Sequence, residues 1–303
     1  MPRPWWLVVL ALAGLAAQAW RRRRPVLRGR PVLRGRGALR HTVTGELEVH
    51  PEFRSAALGS RRVWVWLPPQ YRREPQRRFP VLYVQDGQNV FDGATAFVPG
   101  QEWRLDEAAA RLVDEGRAEP LLIVAVDNAG ERRIAEYTPT RTAEGLGGEA
   151  AAYGRMLVEE LKPWIDRRYR TRPGREATGI AGSSLGALVS LHLALSRPEV
   201  FSRVGALSIA AWWDERFVVS FVDGLPLKPR TRIWLDIGTG EGEAAVRDAR
   251  LVKDALLRQG WREGEDLSYL EEEGAAHDEA AWARRAPLVL AFLFPSSLDA
   301  ARP

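Results

Sequence analysis

The sequence predicts an α/β protein with a mostly parallel central sheet and helices on both faces, and three observations predict it. From residue 43 onward, short apolar runs of strand length alternate with segments of helical spacing. The inner runs are apolar without a break, as strands buried on both faces are. Glycine-rich turns carrying chemically useful side chains follow several of these runs, where the active site of such a sheet lies.

In order, Val43–Val49 and Arg61–Leu67 read as strands, the second alternating before Pro68-Pro69. Phe79–Gln85 is a continuous apolar run and Trp103–Glu115 has helical spacing. Leu121–Val126 is the next buried strand, and Ala150–Tyr169 reads as one long helix. A short strand, Ala177–Ala181, leads through a glycine turn into a helix over Leu185–Leu195. The pattern continues with strands at Val204–Ile209 and Ile233–Ile237, a helix over Glu243–Gln259, a strand at Leu267–Leu270 and a last helix over Glu279–Phe294.

The chain has 303 residues, 46% hydrophobic and 27% charged, enough for a sizeable core. It has no cysteine, which excludes disulfides, thiolate metal sites and a catalytic thiol. The formal charge of +5 belongs to one end. Residues 1–40 hold ten of the 44 basic residues and no acid, which leaves 34 basic against 39 acidic residues beyond, a balance of −5. Nucleic-acid binding needs a basic face on the folded domain, and none is expected.

Trp5–Trp20 is an apolar run, short for a membrane span, and Ala17-Gln18-Ala19 has the small-x-small form of a signal cleavage site. Arg21 to Arg24 follow at once, which disfavours translocation of that flank. A cleaved signal peptide, an N-terminal anchor and an upstream-called start therefore stay open for 1–20, with an exported or membrane-anchored location expected. Residues 21–40 repeat PVLRGR and cannot bury a core, so they read as a basic disordered linker. Any membrane contact is expected from residues 1–40 only, and 41–297 is expected to be the catalytic domain.

Gly182-Ser183-Ser184-Leu185-Gly186 fits G-x-S-x-G between an apolar strand and an apolar helix. Glycine is required there because the strand-to-helix turn is sharp, and the turn lifts the central serine clear of the sheet. Ser184 is the candidate nucleophile, and the backbone N–H of Leu185 an oxyanion donor. A serine hydroxyl needs a base. Among His41, His50, His192 and His277, only His277 follows the serine in a strand-to-helix loop. His192 lies on the serine's own helix and reads as structural or exposed. The acid that orients the base is Glu241, in the loop after Ile233–Ile237, or else Asp236 within that strand.

Together these residues resemble the esterase D and enterochelin esterase-like branch of the α/β-hydrolases, over about Thr44 to Phe294. The resemblance rests also on Val81–Asp92 (VLYVQDGQNVFD), Arg133–Pro139, Gly238-Thr239-Gly240-Glu241 and His277–Trp282. It implies an α/β-hydrolase fold, a small-molecule ester substrate, and the backbone N–H of Gln88 as second oxyanion donor. The branch uses Asp or Glu as its acid, consistent with Glu241. Gln85, where many relatives carry His, and Ala187, where Gly is common, depart from its pattern.

The expected reaction is carboxylic-ester hydrolysis on siderophore-like or aromatic esters, with no cofactor and no metal. Asp86, Asp92 and Asp127 lack ligand spacing and are expected to form structural hydrogen bonds. Trp103, Arg133, Tyr137, Trp212 and Trp213 are the candidate pocket residues. Acyl transfer with the same triad and a non-catalytic binding protein are the alternatives. Leu235–Gly242 (LDIGTGEG) also looks like the opening motif of an S-adenosylmethionine-dependent methyltransferase, but that motif begins its fold, and here it falls late.

Overall fold

A computed structural model describes residues 41–296; the apolar run at 5–20 and the linker at 21–40 lie outside the described residues. Eight strands form one sheet: β1 (Glu46–Ser55), β2 (Gly59–Leu67), β3 (Val81–Gln85), β4 (Leu122–Val126), β5 (Thr178–Ser183), β6 (Arg203–Leu207), β7 (Arg232–Gly238) and β8 (Leu267–Glu272). Their order is β1-β2-β4-β3-β5-β6-β7-β8. β1 and β2 form an antiparallel hairpin, β2 pairs antiparallel with β4, and the strands from β4 to β8 run parallel. The hairpin register shifts between His50 and Phe53. Pro51 stands inside that break, where it has no N–H to give to a ladder.

The unbroken apolar runs are explained by two cores, one on each side of the sheet. Successive side chains of a strand point to opposite faces. Val81 and Tyr83 of β3 enter one core with Leu122, Val124 and Val126 of β4, while Leu82, Val84, Ile123 and Ala125 enter the other. The second core is closed by α1 (Leu105–Asp114) and by the last helix of the domain (Glu279–Leu293). The first is closed by α2 (Ala150–Arg155), α3 (Lys162–Arg168), α4 (Leu185–Ser196), α5 (Trp213–Asp223) and α6 (Glu243–Arg258). The last helix is α7. The predicted α/β class, with helices on both faces of a mostly parallel sheet, is the observed one.

Two elements differ from expectation. The single helix read over Ala150–Tyr169 is divided by a π-helical segment, Met156–Leu161, between α2 and α3. Pro163 stands two residues beyond its end; it offers no N–H, and its ring crowds the carbonyl one turn back, so the helix widens there. α5 was not expected at all. Its first turn is left-handed at Asp214, Glu215 and Arg216, a start that no apolar periodicity announces. No helix among the described residues is long and apolar enough to cross a membrane.

Candidate active site

Because β3, β5, β6, β7 and β8 are parallel, the turns after them share one edge of the sheet. The turn after β5 carries Ser184, whose backbone (φ 57°, ψ −122°) is strained for a residue with a Cβ. Ser184 N–H donates to Leu207 O at 3.0 Å, and Ser184 O accepts from Ala210 N–H at 3.2 Å, so the turn is pinned to the end of β6. The glycines are required by contact. A Cβ on Gly182 would lie 2.4 Å from Gly186 O, and one on Gly186 would lie 3.1 Å from Gln85 Cβ and 3.2 Å from Asp86 Oδ2.

Gln88 lies in the turn after β3. Gly87 beside it presses on the backbone of β4, where a Cβ would meet Val126 at 2.8 Å. Among the described residues, neither Gln88 N–H nor Leu185 N–H donates a hydrogen bond, so both remain available to a ligand. Asp86, buried and left-handed (φ 56°), anchors the Gln88 turn. It accepts two bonds from Arg133, Nε at 2.7 Å and Nη2 at 2.8 Å, and one from Asn128 Nδ2 at 2.6 Å.

Glu241 and His277 meet across the turns after β7 and β8, with His277 Nδ1 2.6 Å from Glu241 Oε2. The His277 turn is hung over β7 by Gly240 N–H, which donates to Ala275 O at 3.0 Å. The Glu241 side chain is buried and also accepts from Ser208 Oγ at 2.6 Å and Gly238 N–H at 2.9 Å. Burial alone would push its carboxyl up. The His277 hydrogen bond and charge, the Ser208 hydroxyl and the Gly238 N–H overcome this and hold it below the usual carboxylate range. The His277 side chain is 44% exposed. No hydrogen bond joins Ser184 Oγ to His277 among the described residues.

The structure sets Glu241, and not Asp236, against His277. Asp236 is fully buried and holds Trp234 Nε1 at 2.7 Å, Ser208 N–H at 2.8 Å and the Arg285 guanidinium at 3.0 Å. Burial pushes its carboxyl up to about 6 against the pull of those partners.

The candidate pocket residues divide. Trp103, Tyr137 and Trp213 are interior side chains. Trp103 packs on Trp282, Tyr137 OH accepts from Asp86 N–H at 3.2 Å, and Trp213 Nε1 donates to Thr140 O at 3.3 Å. Arg133 is committed to Asp86, while Trp212 is exposed. Phe97, which sequence reasoning missed, is 56% exposed, and its N–H donates to Asn89 Oδ1 beside Gln88. Ser208 was missed as well, and Trp282 was read only as part of the His277–Trp282 motif; their polar groups bond across at least 33 positions of chain.

Asp86, Asp92 and Asp127 each hold hydrogen bonds, to Arg133, to His41 Nδ1 (2.6 Å) and to Trp64 Nε1 (2.6 Å). His192 lies on α4 against Phe217 and Phe221.

A protein family described as "Putative esterase" matches residues 55–289. The uncharacterized protein YbbA of Bacillus subtilis is 27% identical over 235 residues, which cover 72% of this chain and 86% of that protein. The ferri-bacillibactin esterase BesA of the same organism is 29% identical over 158 residues, 49% of this chain and 54% of that enzyme. Among solved structures, the BES protein from Bacillus cereus superposes with a TM-score of 0.66 at 21% identity, covering 89% of this chain and 99% of that one, a likeness of fold.

Proposed function

Because this chain belongs to the "Putative esterase" family, and so to the enterochelin esterase-like branch of the α/β-hydrolases, we propose that it is a serine esterase working through an acyl-enzyme on Ser184. The observation that carries the reading is the His277–Glu241 pair, 2.6 Å apart, on the sheet edge that also bears the strained Ser184 turn.

In the proposed reaction Ser184 Oγ attacks the ester carbonyl while His277 Nε2 takes its proton. Glu241 fixes the proton on Nδ1 and offsets the imidazolium charge as it forms. The carbonyl oxygen becomes an oxyanion held by the N–H groups of Leu185 and Gln88, each contributing about 3 kcal/mol in comparable sites. His277 then returns the proton to the leaving alcohol. Water, deprotonated by the same imidazole, attacks the acyl carbon and releases the acid and Ser184. Water is taken as the acyl acceptor; a bound alcohol in its place would give acyl transfer with the same triad.

The proposed substrates are siderophore-like or aromatic esters. Phe97 flanks the oxyanion turn, and Trp212 stands two residues beyond Ala210, which is bonded to Ser184; both expose apolar rings on this edge. Such rings suit a substrate with flat apolar groups on either side of the ester. Residues 41–297 are taken as the catalytic unit.

The test is hydrolysis of p-nitrophenyl acetate and butyrate by wild type, Ser184→Ala and His277→Ala. Wild type should turn over, and each variant should lose on the order of 10⁴-fold or more in kcat. A folded wild type that neither turns over nor reacts with a fluorophosphonate would replace the esterase reading with that of a binding protein on the same fold.

A further inference from the structure

Ser208 lies one residue past β6 and takes no part in the reaction just described. Its backbone is left-handed (φ 45°), a region that disfavours any residue with a Cβ. It is held there by its N–H, which donates to buried Asp236 at 2.8 Å.

A serine hydroxyl has one proton to give and two lone pairs to receive with. Trp282 Nε1 and Arg285 Nη2, both from α7, each donate to Ser208 Oγ at 2.9 Å. Neither group can accept, so both lone pairs are taken. The proton is left one acceptor, Glu241 Oε1, at 2.6 Å. Gly238 N–H bonds the same carboxylate oxygen, and Oε2 is thereby turned to His277.

We propose that Ser208 is a positioning residue for the reaction: a hydroxyl whose direction is locked by Trp282 and Arg285 and which keeps Glu241 ionised with Oε2 facing His277. The proposal rests on the serine esterase reading and deepens it. Trp282 acts twice, since its ring also stands edge-on to the His277 imidazole, 5.2 Å away at 85°. The other charged groups around the network are Asp236 on β7, Glu272 on β8, and Asp278 and Glu279 at the start of α7. Arg285, fully buried, reaches both Asp236 (3.0 Å) and Glu272 (3.4 Å), so its guanidinium is oriented before it meets Ser208.

Two variants of the full chain separate the hydroxyl from the backbone. Ser208→Ala removes the hydroxyl and keeps the strain; Ser208→Gly removes both. The readouts are kcat and KM for p-nitrophenyl acetate across pH, the melting temperature, and the proton NMR resonance of His277 Nδ1–H. Both variants should lose roughly 10- to 100-fold in kcat, the range for a lost hydrogen bond to a charged group, with KM little changed. In both, the acid limb of kcat should move to higher pH, because Glu241 loses a donor that favours its charge. The imidazole resonance should shift or vanish.

Recovery of wild-type kcat and pH profile in Ser208→Gly would overturn the proposal and assign the effect to the backbone. A lower melting temperature with the acid limb and resonance unmoved would overturn it equally, leaving Ser208 a structural role only. If wild type turns over no ester, the esterase reading fails by itself. The resonance requires no turnover and still decides whether Ser208 positions the pair.

Discussion

Arg133 grips Asp86 through two parallel N–H···O bonds, 2.7 and 2.8 Å long, and so ties the segment after β4 to the turn that bears Gln88. Arg133 is a candidate pocket residue, and two of its three guanidinium nitrogens hold this carboxylate. Asp86 is buried, and nothing else among the described residues brings it a formal positive charge. Removing Arg133 should therefore disturb the oxyanion turn rather than substrate affinity. Arg133→Met is expected to lower kcat by roughly 10- to 100-fold, the scale of a misaligned oxyanion donor, with a smaller change in KM. Steady-state kinetics on p-nitrophenyl butyrate check this; a change confined to KM would return Arg133 to the substrate.

Glu241 and Asp236 are five residues apart and call for opposite outcomes. Glu241→Gln keeps the shape but loses the charge that orients and stabilises the imidazole, so kcat should fall on the order of 10³- to 10⁴-fold with little loss of stability. Asp236→Asn leaves the guanidinium of Arg285 buried without its nearest counter-charge. Breaking a buried pair in this way costs about 3–5 kcal/mol. Denaturation midpoints beside single-turnover rates separate the two; a stable Asp236→Asn enzyme with kcat as low as Glu241→Gln would reverse the assignment.

The fold was legible in the sequence because central strands such as Val81–Gln85 and Leu122–Val126 are buried on both faces and read as nearly continuous apolar runs. The elbow was legible because its glycines fall in a five-residue pattern between strand and helix, although the contacts that require Gly186 come from Gln85 and Asp86 at the end of the neighbouring strand. What stayed hidden depends on long-range packing. Two misses are local instead: the π-helical segment within Ala150–Arg168 was marked by Pro163, and α5 begins on a left-handed turn with no pattern of its own. The tryptophans illustrate the limit best. Trp103, Trp212 and Trp213 look alike in sequence, yet the first and third are interior and only Trp212 faces solvent. Ser208 had no signal at all, since its partners Glu241, Trp282 and Arg285 converge from two other elements.

Phe97 and Trp212 should decide which esters are preferred. Each exposes apolar area, Phe97 beside the Gln88 turn and Trp212 two residues past Ala210, which is bonded to Ser184. Truncating either to Ala should cost an aromatic ester such as p-nitrophenyl benzoate roughly 10-fold in kcat/KM, the scale of a lost apolar contact in a pocket. The acetate should change less than about two-fold by the same logic. Equal losses on both substrates would show that the rings support the loops instead of contacting the acyl group.

His192 gives the domain an acid weakness that is separable from catalysis. It packs against Phe217 and Phe221 on α5, and its Nδ1 has no hydrogen-bond partner. Burial pulls its pKa down from 6.5 to about 4. In the unfolded chain the imidazole protonates as pH falls through 6.5, whereas in the folded domain it stays neutral until about pH 4. The unfolded state thus binds more protons in this window, and the stability present above pH 6.5 is lost progressively down to pH 4. The difference corresponds to about 3 kcal/mol. His192→Phe, which keeps an aromatic ring beside Phe217 and Phe221, should flatten the fall in unfolding free energy between pH 6.5 and 4 while leaving kcat at pH 7.5 unchanged. Urea melts across that range measure it; an identical slope in wild type and variant would mean that other groups set the acid limit.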